Sequence, residues 1–144
     1  MSPVEEGMVR RKLAVIVEAL NALAPIKGMT AEQYQDDLYK RKAAERLMQE
    51  LIEAAIDINT HIIVHTGNTS PDDYYESFIR LGELKVISMT LAEKLAPSAG
   101  LRNRLVHEYD TLKDSIVLKA IDTAEGLYPQ YIKEIDGYIT KKAR

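Results

Sequence analysis

Between Thr30 and about His65 the apolar residues return every three or four positions: Leu38, Ala44, Leu47, Met48, Leu51, Ile52, Ala55, Ile56, Ile58, Ile62 and Ile63. No glycine or proline interrupts the run. That period is the helical one, and it is sustained far beyond the usual length of a β-strand. A chain built round such an element folds as packed helices. The opening "TAEQ" has the form of a capping box, with Thr30 at the N-cap and Gln33 three positions on. A bend is expected near Asp36–Asp37. The only run with β character, "HIIVH", continues the helical period.

The rest of the chain follows the same grammar. Val9, Leu13, Ile16, Val17, Leu20 and Leu23 mark an amphipathic helix from Glu5 to Ala24, ended by "APIKGMT". In "TGNTSPDD", Gly67 is a helix stop, and Ser70 with Pro71 is a restart. A shorter helix is expected over about 71–82, then segments over about 84–96 and 99–109. A last helix is expected from about Leu112 to Lys142, marked by Ile116, Leu118, Ala120, Ile121, Leu127, Tyr131, Ile132, Ile135 and Ile139. The expected architecture is an all-α bundle of four or five helices. The 144 residues suit one domain spanning 1–144. An apolar stripe left over would form a homodimer surface.

Composition narrows the chemistry. At 46% apolar residues the chain can fill a core, which argues against disorder. A net charge of −3 argues against a general nucleic-acid coat and leaves room for a local phosphate site. Zero cysteines exclude disulfides, thiolate zinc sites and cysteine nucleophiles. The N-terminal "MSPVEEGMVRRKL" lacks an apolar signal core, and no run is long and apolar enough to span a bilayer. A cytoplasmic protein without membrane contact is the expectation.

The densest set of chemistry-bearing side chains is "GLRNRLVHEYD", residues 100–110. On a continued helix Leu101, Leu105 and Leu112 form a buried stripe. Arg102 and Tyr109 fall within about 20° of each other, and Asn103 stacks on His107. Arg102 and His107 lie about 140° apart. They meet on one small target only if the arginine curls round, the helix ends near His107, or a second chain supplies one of them. A composite site between two copies is therefore expected. Arginine presents a fork of donors suited to phosphate. Histidine can exchange a proton near neutral pH. Asparagine can orient a hydroxyl or hold an imidazole tautomer. Such a set suits RNA cleavage without a metal: a base takes the 2′-OH proton, O2′ attacks the adjacent phosphorus, and the arginine stabilises the developing charge. The bland alternative is a polar helix end whose cations favour the helix dipole.

Arg102, His107 and Tyr109 spell R-x4-H-x-Y, with the polar Asn103 directly after the arginine. This resembles the signature of the HEPN superfamily, in its minimal HepT-like toxin branch. The segment "RKAAERLMQELIEAAIDINTHI" resembles that family's long second helix. The resemblance implies a helical bundle that dimerises and brings two motifs together at a cleft. It implies a metal-independent endoribonuclease acting on tRNA or mRNA, with no cofactor of its own. The implied partner is an MntA-like minimal nucleotidyltransferase antitoxin, which uses ATP to place AMP on the motif tyrosine, here Tyr109. In these terms Arg102, Asn103 and His107 are the candidate catalytic residues, while Arg104 and Tyr109 are candidates for substrate binding. AMP on Tyr109 would put an anion beside Arg102 and repel an RNA phosphate. The acidity of the chain departs from what an RNA binder usually shows. An alternative of a different class is a non-catalytic helical module that binds a nucleotide or the partner.

Other clusters carry weaker signals. Asp57, His61 and His65 follow one another at i, i+4 and could hold zinc; a polar stripe at a helix end is the plainer reading. Arg41, Glu45, Arg46, Glu50 and Glu53 read as a solvated, salt-bridged face, from which Arg46 or Glu53 could support the cleft. Tyr128, Tyr131 and Tyr138 read as packing residues. Tyr74 and Tyr75, after a loop, are the exposed candidates for RNA or partner contact.

Overall fold

The computed structural model describes residues 4–142, so Met1, Ser2 and Pro3 of the N-terminal stretch and the last two residues of the chain lie outside the described residues. The order is α1 (Glu6–Lys27), α2 (Ala31–Gln35), α3 (Leu38–His65), α4 (Tyr74–Glu83), α5 (Met89–Leu95), α6 (Ser98–His107) and α7 (Asp114–Lys142). The all-α expectation holds among the described residues. The count of four or five helices does not: seven form, because the single-turn α2 and the two-turn α5 are separate elements.

Local chemistry sets the boundaries. Thr30 caps α2 through a full capping box with Gln33. The chain then breaks at Asp36–Asp37, and the Asp37 carboxylate accepts the Lys40 N–H to start α3. The break is complete, where the sequence suggested a bend. The α4 start was expected at Ser70–Pro71 and lies instead at Asp73, whose carboxylate accepts the Glu76 N–H at 2.7 Å. A carboxylate at an N-cap also complements the helix dipole, so it outcompetes the serine signal upstream. At the end of α3, Gly67 takes φ 88°, while Gly67 N–H bonds Val64 O and Asn68 N–H bonds Ile63 O. That is a Schellman stop, as the glycine implied. The end of α4 repeats it without glycine. Lys85 takes φ 60°, with Lys85 N–H on Gly82 O and Val86 N–H on Leu81 O. Pro25 and Pro129 lie inside α1 and α7, so α1 runs through part of the expected stop "APIKGMT" to Lys27. Both rings face solvent while Ile26 and Tyr128 beside them are buried. Packing of the apolar face outweighs the lost backbone hydrogen bond.

The long α3 is the axis of the fold. It packs against α1, α4, α6 and α7 and buries Leu51, Ile52, Ala55, Ile58 and Ile62. Residues from all seven helices meet in one apolar cluster. Tyr34, Tyr128 and Tyr131 are buried in it, and Tyr138 packs at its edge, so the tyrosines of α7 serve as packing residues.

One close approach fixes the α4–α5 hairpin. A β-carbon on Gly82 would lie 2.8 Å from the Ala92 β-carbon and 3.0 Å from the Met89 sulfur. Ala92 is buried and cannot swing away. Gly82→Ala gains about 1 kcal/mol of helix propensity. The overpacking costs about 1–3 kcal/mol. The expected net result is an unfolding free energy lowered by about 1 kcal/mol, read as a lower urea midpoint with an unchanged slope; an equal or higher midpoint would refute this packing.

Candidate functional site

The candidate site is built where α6 crosses α3 and the start of α4. Leu105 is buried and Leu101 partly buried, so these two anchor α6 as expected, while Leu112, also buried, lies beyond the end of the helix. That anchoring turns Arg102 toward α3. Its Nε and Nη2 donate to Glu53 Oε2 at 3.3 and 3.1 Å, and its Nη1 donates to Asn103 Oδ1 at 3.3 Å. The guanidinium carbon stands 5.1 Å from the centre of the Tyr74 ring. A cation held by a carboxylate fork and an aromatic face is strongly oriented. It lines a cavity of about 380 Å³ together with Lys12, Arg46, Glu50, Glu53 and Tyr74.

Tyr74 is itself positioned from the core. The Tyr131 hydroxyl of α7 lies 2.6 Å from Asn59 Oδ1 and 3.1 Å from the Ala55 carbonyl of α3. The Asn59 amide donates to Ser77 Oγ, and the Ser77 hydroxyl donates to the Tyr74 carbonyl at 2.7 Å. Burial, and then neighbouring Tyr128, push the Tyr131 phenol well above its ordinary pKa, so it remains a neutral donor. A partnered polar chain thus ties α7, α3 and α4 together beneath the ring that faces Arg102. Neither Asn59 nor Ser77 stood out in the sequence; their partners lie on other helices.

His107 is the last residue of α6 and is exposed. Arg102 points to Glu53 and no hydrogen bond joins it to His107 among the described residues. The divergence expected from the helical wheel is therefore present. The helix does end at His107, yet the arginine arm does not curl toward it. Asn103 and His107 both lie on α6, four positions apart, and the Asn103 oxygen accepts from Arg102. Arg104 is half-buried, and its carbonyl accepts the Glu108 N–H that closes the helix.

Tyr109 departs from the expected geometry. Its alignment with Arg102 assumed a continuous helix, but α6 stops two residues earlier and a turn closes between Glu108 and Thr111. The exposed ring lies 5.6 Å from Lys42 Nζ of α3. It lines a second cavity of about 450 Å³ with Lys42, Arg46 and Gln49. Arg46 lines both cavities. Of the face read as solvated, Glu53 serves Arg102, while Arg46 pairs loosely with Glu50 at 3.8 Å and Lys42 with Glu45 at 3.5 Å.

The Asp57, His61 and His65 stripe is engaged otherwise. Asp57 pairs with Lys12 at 2.8 Å. His61 Nε2 accepts the Glu5 N–H at 2.9 Å. The His65 ring stacks on His61 with centroids 3.9 Å apart, and its Nδ1 lies 2.9 Å from the His61 carbonyl. Burial, then the neighbouring His65, lower the His61 pKa, against a smaller opposing effect from Glu5. A depressed histidine pKa means the unfolded chain binds the proton more readily, so this contribution is present above the ordinary value of about 6.5 and is lost as pH falls through the folded pKa. The stability gap between the wild type and His61→Gln is expected to be larger at pH 8 than at pH 5. Equal gaps in urea unfolding at the two values would remove His61 as the cause.

Comparison with known proteins bears on the whole of this architecture. Residues 16–135 match the family model "Ribonuclease HepT-like". The chain is 35% identical over 139 residues to the tRNA nuclease HepT of Aphanizomenon flos-aquae, covering 96% of this chain and 95% of that one. It is 27% identical over 124 residues to the mRNA nuclease HepT of Shewanella oneidensis, covering 86% and 92%. Its fold superposes with a TM-score of 0.82 on the tri-AMPylated Shewanella oneidensis HEPN toxin in complex with MNT antitoxin, at 26% identity and covering 92% of this chain and 99% of that one. No helix among the described residues is long and apolar enough to cross a membrane. With most of its length matched by the family model and nearly all of it by a relative of this identity, the chain belongs to the HepT-like ribonuclease family of HEPN proteins.

Proposed function

We propose that the chain is the toxin of a toxin–antitoxin pair and acts as a metal-independent endoribonuclease on tRNA or mRNA. The observation that carries this reading is Arg102, held by Glu53 and Tyr74 at the wall of a cavity, on the same short helix that presents an exposed His107 at its end. Arg102 takes the scissile phosphate. His107 acts as the general base or acid: it removes the 2′-OH proton or delivers one to the departing O5′. O2′ bonds to phosphorus as the P–O5′ bond breaks, leaving a 2′,3′-cyclic phosphate and a 5′-OH. Asn103 steadies Arg102, and Arg104 adds a further cation for the RNA backbone. Because Arg102 and His107 diverge within one chain, the working site is formed by a homodimer whose two motifs share a cleft.

Silencing follows from the same family relation. An MntA-like nucleotidyltransferase partner, with ATP as the AMP donor, modifies Tyr109: the phenol oxygen bonds to the α-phosphorus, pyrophosphate leaves and the phenol proton is lost. The exposure of Tyr109 fits an acceptor reached by another protein. The test is incubation of the purified protein with total RNA in EDTA, followed by end-group analysis. Discrete fragments with 5′-OH and cyclic phosphate ends are expected. Intact RNA would favour the non-catalytic binding module.

A further inference from the structure

The separation of Tyr109 from Arg102 leaves the silencing nucleotide without its expected receptor. Arg102 is committed to Glu53 and Asn103 and lines the other cavity. The side chains that do surround Tyr109 are on α3. Lys42 stands over its ring, and Arg46, one turn further along the helix, lines the same cavity, with Gln49 beyond it and Leu105 of α6 opposite. At about 450 Å³ the space falls within the range of small-molecule sites, about 300–1,000 Å³. The existing partners of the two cations are weak competitors: Glu45 is 3.5 Å from Lys42, and Glu50 is 3.8 Å from Arg46. Both cations are solvent-exposed and their pairs are long, so these pairs hold little energy and an incoming phosphate can displace them. Gln49 Nε2 is only 3.3 Å from Glu53 Oε1, so this wall also touches the carboxylate that anchors Arg102.

We propose that the α3 edge formed by Lys42 and Arg46 is a nucleotide-monophosphate pocket, and that it receives the phosphodiester of the AMP carried by Tyr109. This rests on the reading of Tyr109 as the acceptor of AMP. The pocket makes the modified tyrosine a tethered ligand of its own protein. Lys42 and Arg46 fold the phosphodiester against α3, and the nucleoside fills the space beside Leu105. Since Arg46 also borders the Arg102 cavity, the docked nucleotide occupies a cation on the route to the cleft.

The test uses full-length protein modified by the partner and ATP, with mass spectrometry of the Tyr109 peptide, and then measures the rate at which an added phosphodiesterase strips the AMP. Wild type and Arg102→Ala are expected to release it slowly. The Lys42→Ala/Arg46→Ala double variant is expected to release it at least about tenfold faster, the worth of one charge-assisted hydrogen bond. Circular dichroism checks that these exposed alanine substitutions leave the helices intact. Equal release from wild type and the double variant, with AMP present on Tyr109, would overturn the pocket alone. Fast release from Arg102→Ala with slow release from the double variant would assign the phosphate to Arg102 and overturn it too. Absence of AMP from Tyr109 in the wild type would remove the underlying reading and the pocket with it.

Discussion

Replacing His107 by alanine is expected to lower the rate of RNA cleavage by about 10²–10⁴-fold, the usual worth of a positioned proton-transfer group. The fold should not respond. The side chain is exposed at the last position of α6, and the helix is closed behind it by the Glu108 N–H on the Arg104 carbonyl, a backbone bond that alanine retains. A surface change of this sort moves stability by no more than about 0.5 kcal/mol. His107→Gln sharpens the result, since it keeps polarity and bulk but cannot act as a general base or acid at neutral pH. Single-turnover cleavage of a labelled RNA, measured beside thermal unfolding, separates the two effects. Cleavage retained by both variants in a clean preparation would dismiss His107 as the proton-transfer group. Loss of cleavage together with loss of helical signal would assign it a structural role instead.

The sequence was legible where the physics is local and repetitive. The faces of α1 and α3 follow from three–four spacing because one side of each helix must enter the core, and Ile16, Leu51, Ile58 and Ile62 do. Thr30 and Gly67 were readable because a cap and a left-handed residue satisfy backbone groups within a few positions. Legibility failed where local signals compete or the partner is distant. Ser70–Pro71 was read as the start of α4, and the structure places the cap at Asp73 instead, where a carboxylate accepts the Glu76 N–H. Lys85 adopts the conformation that usually announces itself by a glycine, so the end of α4 carried no mark. The residue types of the candidate site were plain, but their arrangement was not. Glu53, 49 positions before Arg102, was legible as a member of a charged face that could support the cleft, but its pairing with Arg102 was not. Tyr109 was aligned with Arg102 because a helical wheel continues past the residue where the real helix stops. That error is small in sequence, yet Tyr109 lines a different cavity from Arg102.

Arg102→Ala is the other change with a large expected effect, a fall in cleavage on the order of 10²–10³-fold as for the loss of one donor to a developing oxyanion. Unlike His107, Arg102 also has structural ties. Its removal leaves Glu53, itself about one-third exposed, without its cation, and costs roughly 1 kcal/mol of stability after solvent screening. Arg102→Lys is not expected to rescue cleavage. The native side chain uses Nε and Nη2 on Glu53 and Nη1 on Asn103 at once, and one ammonium cannot hold that fork. Glu53→Gln decides whether arginine acts on the phosphate directly or only through its neighbours. The amide keeps an oxygen that can accept from Arg102 and removes the opposing charge, so the guanidinium field on a phosphate rises while its anchoring weakens. Cleavage by Glu53→Gln is expected to remain within about tenfold of wild type, less than one charge-assisted bond. Comparable collapse in Glu53→Gln and Arg102→Ala, at matched thermal stability, would show that the ion pair matters as a unit and that Arg102 does not meet the phosphate on its own.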